Sequence, residues 1–148
     1  LKLSAAMHDT GKIGIPDSVL KKPGKLDTKE WDIMKTHTTI GYDILSKNDT
    51  AFFHLSAEIA LRHHEKWNGS GYPNGLKGEN IPESARIVAI CDVFDALTMK
   101  RSYKPAWSVE DSFAEIEKTI GTHFDPEIAE CFMRIKPEII EIKESWEK

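Results

Sequence analysis

Residues 83–99 read ESARIVAICDVFDALTM. Apolar side chains fall on nearly every side of a helical projection of this stretch, the pattern of a helix at the centre of a core. Helical signals continue on both sides of it. Residues 27–46 open with Asp27 and an acid at Glu30, an N-cap pattern, and then carry Trp31, Met34, Thr38, Gly41 and Ile44/Leu45 at helical spacing. Residues 51–66 place Phe53, Ala57, Ala60 and Leu61 on one face. Ser108 with Asp111 starts a helix that Gly121 ends, Asp125-Pro126 starts another, and a last helix follows within 136–148. Glycine and proline cluster between these segments, and no stretch alternates like a strand. The sequence predicts an all-α fold.

The chain has 148 residues, enough for one domain with a true apolar core, and no linker or repeat divides it. A formal charge of −4 argues against a binder of nucleic-acid polymers, which would present a basic face. No apolar run approaches the ~20 residues that span a bilayer, and no charged-then-apolar leader is seen. Cys91 and Cys131 sit in apolar helical patterns without CxxC spacing. They are expected to be buried free thiols in a reducing, cytoplasmic setting. The opening LKLSAAMHD reads as the end of a helix without its beginning. The expectation is therefore a single domain over 1–148, truncated at its N-terminus and part of something longer.

Six residues from four segments have metal-ligand chemistry: His8-Asp9, His37, His63-His64 and Asp92. Imidazole with carboxylate suits Fe, Mn, Zn, Co or Ni rather than Ca or Mg. His37 points with the apolar stripe of its helix, and His64 follows Ala57, Ala60 and Leu61 inward. His63 is displaced from it by about 100°, toward the flank. Asp92 continues the Ala85-Val88-Ala89 face of the most apolar helix, where an unpartnered carboxylate is costly. Each residue alone is more often a hydrogen-bonded core or rim group, and Asp92 alone could pair with Arg86 or Arg101. His54 and His123 fit that plain structural reading. Six such residues turning inward together do not, and their number exceeds what one four-coordinate ion needs. Two metals are the economical reading, and paired metals are a common device for phosphoester hydrolysis.

The segments HDTGKIGIPDSVLKKPGKL, HTTIGYDIL, HHEKWNGSGYPNGLKG, RIVAICDVFDALT, RSYKP and GTHFDP resemble, in order and spacing, the HD-GYP family. This family is a branch of the HD superfamily of metal-dependent phosphohydrolases, and the resemblance runs from about residue 5 to about residue 132. It implies an HD-type helical bundle, here lacking its first helices, that hydrolyses the bacterial messenger cyclic di-GMP to pGpG or on to GMP. It implies two or three divalent ions, iron or manganese first, with nickel, cobalt or zinc as alternatives.

Carried over by position, the ligands implied are His8, Asp9, His37, His63, His64 and Asp92. Lys12 falls where the family's lysine reaches the scissile phosphate, so that Lys12 and Asp9 become the catalytic pair. Arg101 and Lys104 would grip phosphates, and Tyr72 would lie beside a guanine or phosphate within the Gly71-Tyr72-Pro73 loop. The same loop could dock a diguanylate cyclase domain, and an upstream regulatory domain is expected. The family's further ligand, a histidine or glutamate ahead of the HD doublet, has no counterpart in residues 1–7. Two rival readings follow: a non-catalytic cyclic-dinucleotide sensor or docking module, and a hydrolase of another cyclic dinucleotide.

Overall fold

The computed structural model describes residues 1–100 and 104–146. In chain order its helices are α1 (Lys2–Ala5), α2 (Asp17–Leu20), α3 (Thr28–Lys35), α4 (His37–Leu45) and α5 (Ala51–Arg62). They continue with α6 (Glu83–Thr98), α7 (Val109–Lys118), α8 (Pro126–Arg134) and α9 (Lys136–Trp146). Short 3-10 turns occupy Thr10–Gly14 and Gly78–Asn80. Among the described residues extended pairing is limited to isolated bridges such as Asn68 with Lys77 and Ile120 with Phe124, so the all-α reading holds. Among the described residues no helix is long and apolar enough to cross a membrane.

The caps read from the sequence form as expected. Asp27 accepts from Glu30 N at 2.8 Å while the Glu30 carboxylate accepts from Asp27 N at 3.1 Å. Ser108 and Asp125 cap α7 and α8. Two expected helices end early, both for local reasons. The 27–46 segment breaks at Thr36, whose hydroxyl donates to Ile33 O, while the His37 ring takes up Met34 O. Side chains that bond to backbone within a turn compete with the helical ladder. The 51–66 segment ends at Arg62 because the His63 ring turns back onto the Ile59 and Ala60 carbonyls.

The main core joins α6, α7 and α8 through Ile90, Phe94, Phe113, Ile116, Phe124, Ala129 and Phe132. Toward the N-terminus a smaller cluster, Leu45, Ala57 and Ala60, packs α4 against α5. The central helix is not buried all round. Cys91, Asp95 and Met99 are exposed along one side of α6, which faces a groove of about 570 Å³ with Ile142 and Trp146 on its other wall. Both cysteines are exposed, contrary to the expectation of buried thiols. Cys91 lies on that groove side, and Cys131 lies on the face of α8 opposite the buried Ala129 and Phe132. Arg86 does not pair with Asp92; it bonds Asp125 at 2.5 Å and ties α6 to the start of α8.

One close approach sets up the site. A Cβ on Gly11 would fall 1.8 Å from His37 O and 2.5 Å from Gly41 N. Only glycine lets the turn after the HD doublet lie directly on the backbone of α4, which brings Asp9 opposite His37.

Candidate metal centre

His8 and Asp9 lie between α1 and the first 3-10 turn, His37 opens α4, His63 and His64 follow α5, and Asp92 lies mid-way along α6. The fold brings these six together from four segments. His8 Nε2 stands 3.1 Å from Asp9 Oδ2 and 3.1 Å from Asp92 Oδ1. The other oxygen of Asp9 faces His37 Nε2 at 3.5 Å and His63 Nε2 at 3.7 Å. Two groups of ligand atoms lie within 4.8 Å of one another: His37, His63 and His64, and His8, Asp9 and His63. His63 belongs to both.

Three of the four cluster histidines are oriented by backbone carbonyls. The Nδ1 of His8 donates to Ala5 O at 2.6 Å, that of His37 to Met34 O at 2.7 Å, and that of His63 to Ile59 O at 3.0 Å. A carbonyl can only accept, so Nδ1 carries the proton and Nε2 is turned to the cluster, the arrangement typical of a metal-ligating histidine. His37 and His63 are each 2% exposed, and the Nε2 of both is buried without a hydrogen-bond partner. An orphaned buried polar atom costs about 1–3 kcal/mol. The separations of these two Nε2 atoms from Asp9 Oδ1, 3.5 and 3.7 Å, are too long for hydrogen bonds. They suit ligand atoms that each lie about 2 Å from a shared ion. The residues present therefore fit divalent ions.

Electrostatics divides the cluster. Burial alone would lower His8, but the carboxylates of Asp9 and Asp92 outweigh it and raise its pKa to about 10. His64 is pushed the other way, to about 3, by burial and by its neighbours His63 and His37. His37 is also lowered, mainly by burial. Burial opposes ionisation of Asp9, yet the facing rings of His63 and His8, together with Lys12, hold its carboxyl well below the usual range. Asp92 is likewise held low by His8 against the effect of burial. The side around Asp9 and Asp92 is thus an anionic seat, and the side around His37 and His64 is a neutral imidazole wall.

The remaining expected site residues are placed as follows. Lys12 is 42% exposed, with Nζ 3.2 Å from Asp9 Oδ2. Tyr72 stacks on His64 at 4.8 Å with the rings 15° apart, and burial followed by Asp9 and Asp92 raises its pKa. Gly71 is pinned against the histidine pair, because a Cβ there would meet His64 O at 2.4 Å and Lys66 N at 2.5 Å. The Tyr72–Pro73 peptide bond is cis. Lys104 is exposed, with its ammonium 5.7 Å from the Trp107 ring centroid, so it contacts Trp107 rather than the cluster. Arg101 lies outside the described residues. His54 pairs with the exposed Asp49 at 2.6 Å, and His123 belongs to the turn whose carbonyl receives Trp67 N at 3.0 Å. Both are structural, as expected.

Glu65 is the residue the sequence reading passed over. It is 2% exposed, and its carboxylate accepts from Gly75 N at 2.8 Å, Leu76 N at 3.1 Å, Asn74 N at 3.2 Å and the Arg62 guanidinium at 3.2 Å. It clasps the far end of the Gly-Tyr-Pro loop to the end of α5. The available signal was an acid next to two inward histidines, followed by a loop whose amides need an acceptor.

The sequence profile of the HD domain family matches residues 1–128. The chain belongs to the HD domain family, in its HD-GYP branch. A cyclic di-GMP phosphodiesterase of Thermotoga maritima is 49% identical to this HD-GYP domain over 142 residues, covering 96% of the chain and 39% of that protein. A 3'3'-cGAMP-specific phosphodiesterase 2 of Vibrio cholerae is 48% identical over 145 residues, covering 98% of the chain and 28% of that protein. The chain thus spans well under half the length of these curated relatives. The crystal structure of a cyclic GMP-AMP specific phosphodiesterase of V. cholerae matches with a TM-score of 0.62 at 22% identity, over 94% of the HD-GYP domain and 37% of that chain. That likeness shows the fold.

Proposed function

We propose that this HD-GYP domain is a metal-dependent phosphodiesterase that hydrolyses cyclic di-GMP to pGpG, GMP or both. The observation that carries the reading is the pair of overlapping ligand groups sharing His63, with two buried Nε2 atoms turned to the cluster and unpaired. His8, Asp9 and Asp92 would hold one ion on the anionic side, and His37, His63 and His64 would hold a second. Iron or manganese is proposed first, with a third ion, or nickel, cobalt or zinc, as variants. Such ions supply an activated water and charge stabilisation to a phosphodiester. Similarity to relatives named for cyclic dinucleotide hydrolysis supports the substrate class.

The chain's own residues do the rest. Asp9 sits between both ligand groups and so fixes their spacing. Lys12 directs Nζ–H at the cluster mouth from beside Asp9, where it can donate to a non-bridging phosphate oxygen and meet charge that grows there in the transition state. Tyr72, stacked on His64, closes one side of the cleft, and its raised pKa keeps the phenol protonated as a donor. Arg101 and Lys104, which follow α6 in the sequence, are proposed phosphate-gripping residues, and Lys104 would have to leave the Trp107 ring to act so. A diguanylate cyclase domain docking on the loop, an upstream regulatory domain and a cytoplasmic setting complete the proposal.

The test is hydrolysis of cyclic di-GMP by protein reconstituted anaerobically with iron or manganese, beside a His8→Ala/Asp9→Ala variant. Turnover by the parent and none by the variant is expected. Equal, tight binding without turnover in both would instead establish a sensor. A mixed guanine-adenine cyclic dinucleotide is the second reading, favoured by the 48% identical cGAMP-specific relative, and competing the two substrates separates them.

A further inference from the structure

The ligand cluster contains nothing that reads a nucleobase, and the residues placed to do so come from α3. Tyr72 carries the ring sequence outward from His64. Trp31 meets Tyr72 edge-to-face at 6.2 Å, and the Lys35 ammonium lies 5.6 Å from the Tyr72 centroid. Trp31 and Lys35 are four positions apart, so they lie on the same face of α3. Trp31 is 44% exposed, and α3 buries no residue of its own, so the indole is not there to fill the core. Lys35 is placed without a short ion pair: its nearest carboxylate, Asp32, stands 4.0 Å away. A solvent-open indole, a cation beside it and a tyrosine linking both to the metal-ligand shell form a stacking face with a hydrogen-bond donor. Aromatic faces accept purines readily, and a cation beside them favours an acceptor edge.

We propose that Trp31 and Lys35 form a purine subsite: the indole stacks on one base of the cyclic dinucleotide, and Lys35 donates to its acceptor edge. The inference rests on the cyclic-dinucleotide reading above and deepens it by naming residues that hold the base. Lys35, as a donor, favours the O6/N7 edge of guanine over the N6 amino group of adenine. This gives α3, which contributes no metal ligand, a part in substrate choice.

The experiment compares the parent with Trp31→Ala, Trp31→Phe and Lys35→Met, each metal-reconstituted and checked for equal metal content. Three quantities are read: the Kd of cyclic di-GMP by calorimetry, KM and kcat for cyclic di-GMP and for a mixed guanine-adenine cyclic dinucleotide, and turnover of methyl p-nitrophenyl phosphate, a phosphodiester with no nucleobase. Trp31→Ala is expected to raise Kd and KM about tenfold with kcat changed less than about twofold. Trp31→Phe should restore most of the loss, and Lys35→Met should narrow the preference for guanine over adenine. The base-free diester should be turned over equally by all four proteins. An unchanged Kd in Trp31→Ala overturns the subsite whatever the activity. A parent that binds cyclic di-GMP through Trp31 yet hydrolyses neither diester overturns the phosphodiesterase reading and leaves the subsite standing.

Discussion

The two halves of this molecule bury different chemistry. Around α6, α7 and α8 the interior is aromatic, with Phe94, Phe113 and Phe132 in mutual contact at centroid separations of 5.2–5.7 Å. Around α4 and α5 the apolar cluster is smaller, Leu45, Ala57 and Ala60, and several polar side chains are buried beside it: His37, Thr38, Ser56, His63 and Glu65. The first half coheres by removing apolar surface from water. The second contains groups that are costly unless something binds them. The difference teaches that the site is a local sink of stability, held in shape by carbonyl contacts and completed by its ions, while the aromatic half is the anchor.

Changes confined to one half should separate these roles. The largest expected effect is on catalysis. Asp9→Ala removes the carboxylate between both ligand groups and should lower kcat/KM for cyclic di-GMP at least about a thousandfold, on the order of 4 kcal/mol. Metal content should fall with it, while metal-free thermal stability should hold or rise. Phe132→Ala in the other half should cost about 3 kcal/mol in urea unfolding with metal content unchanged. Loss of metal in that variant would break the division between halves.

Chelation should act on the site half alone. Removing ions held at a hundred times their Kd costs about 2.7 kcal/mol, and this loss should add to that of Phe132→Ala without coupling. Glu65→Gln should cost about 1–3 kcal/mol, because an amide then faces amides that need an acceptor. Hydrogen exchange at residues 74–76 should quicken in that variant, while protection in α7 stays as it was.

A further effect concerns acid. Burial and then Lys66 lower His123 from 6.5 to about 4. Between those values the unfolded chain binds a proton that the folded chain does not, so stability falls as pH drops through the window and the loss is complete below it. His123→Gln should flatten that part of the urea-midpoint profile, measured beside the parent at equal metal content. An unchanged slope would remove His123 from the acid response.

Much of the site was legible because ligand chemistry is written in residue type. His8, Asp9, His37, His63, His64 and Asp92 stand out by being polar at inward registers, and the folded chain brings all six together. Less legible was anything that depends on exposure. Cys91 and Cys131 follow apolar patterns yet lie on faces that the neighbouring helices do not cover. Lys104 has the right type for phosphate and turns to Trp107. Glu65 was passed over because its partners, the amides of residues 74–76, have no signature in side-chain identity.

By itself, then, the sequence determined what acts over a few residues: the helix caps, the helix periods and the stock of imidazoles and carboxylates. Local hydrogen bonds and one-sided burial are short-range, so residue order alone encodes them. Only the tertiary structure decided which groups meet across the chain. Gly11 lying on α4 sets Asp9 between two ligand groups, and the Glu65 clasp carries Tyr72 onto His64 and toward Trp31. Those meetings depend on how helices cross and how closely backbones approach. That geometry is settled by packing the whole chain at once.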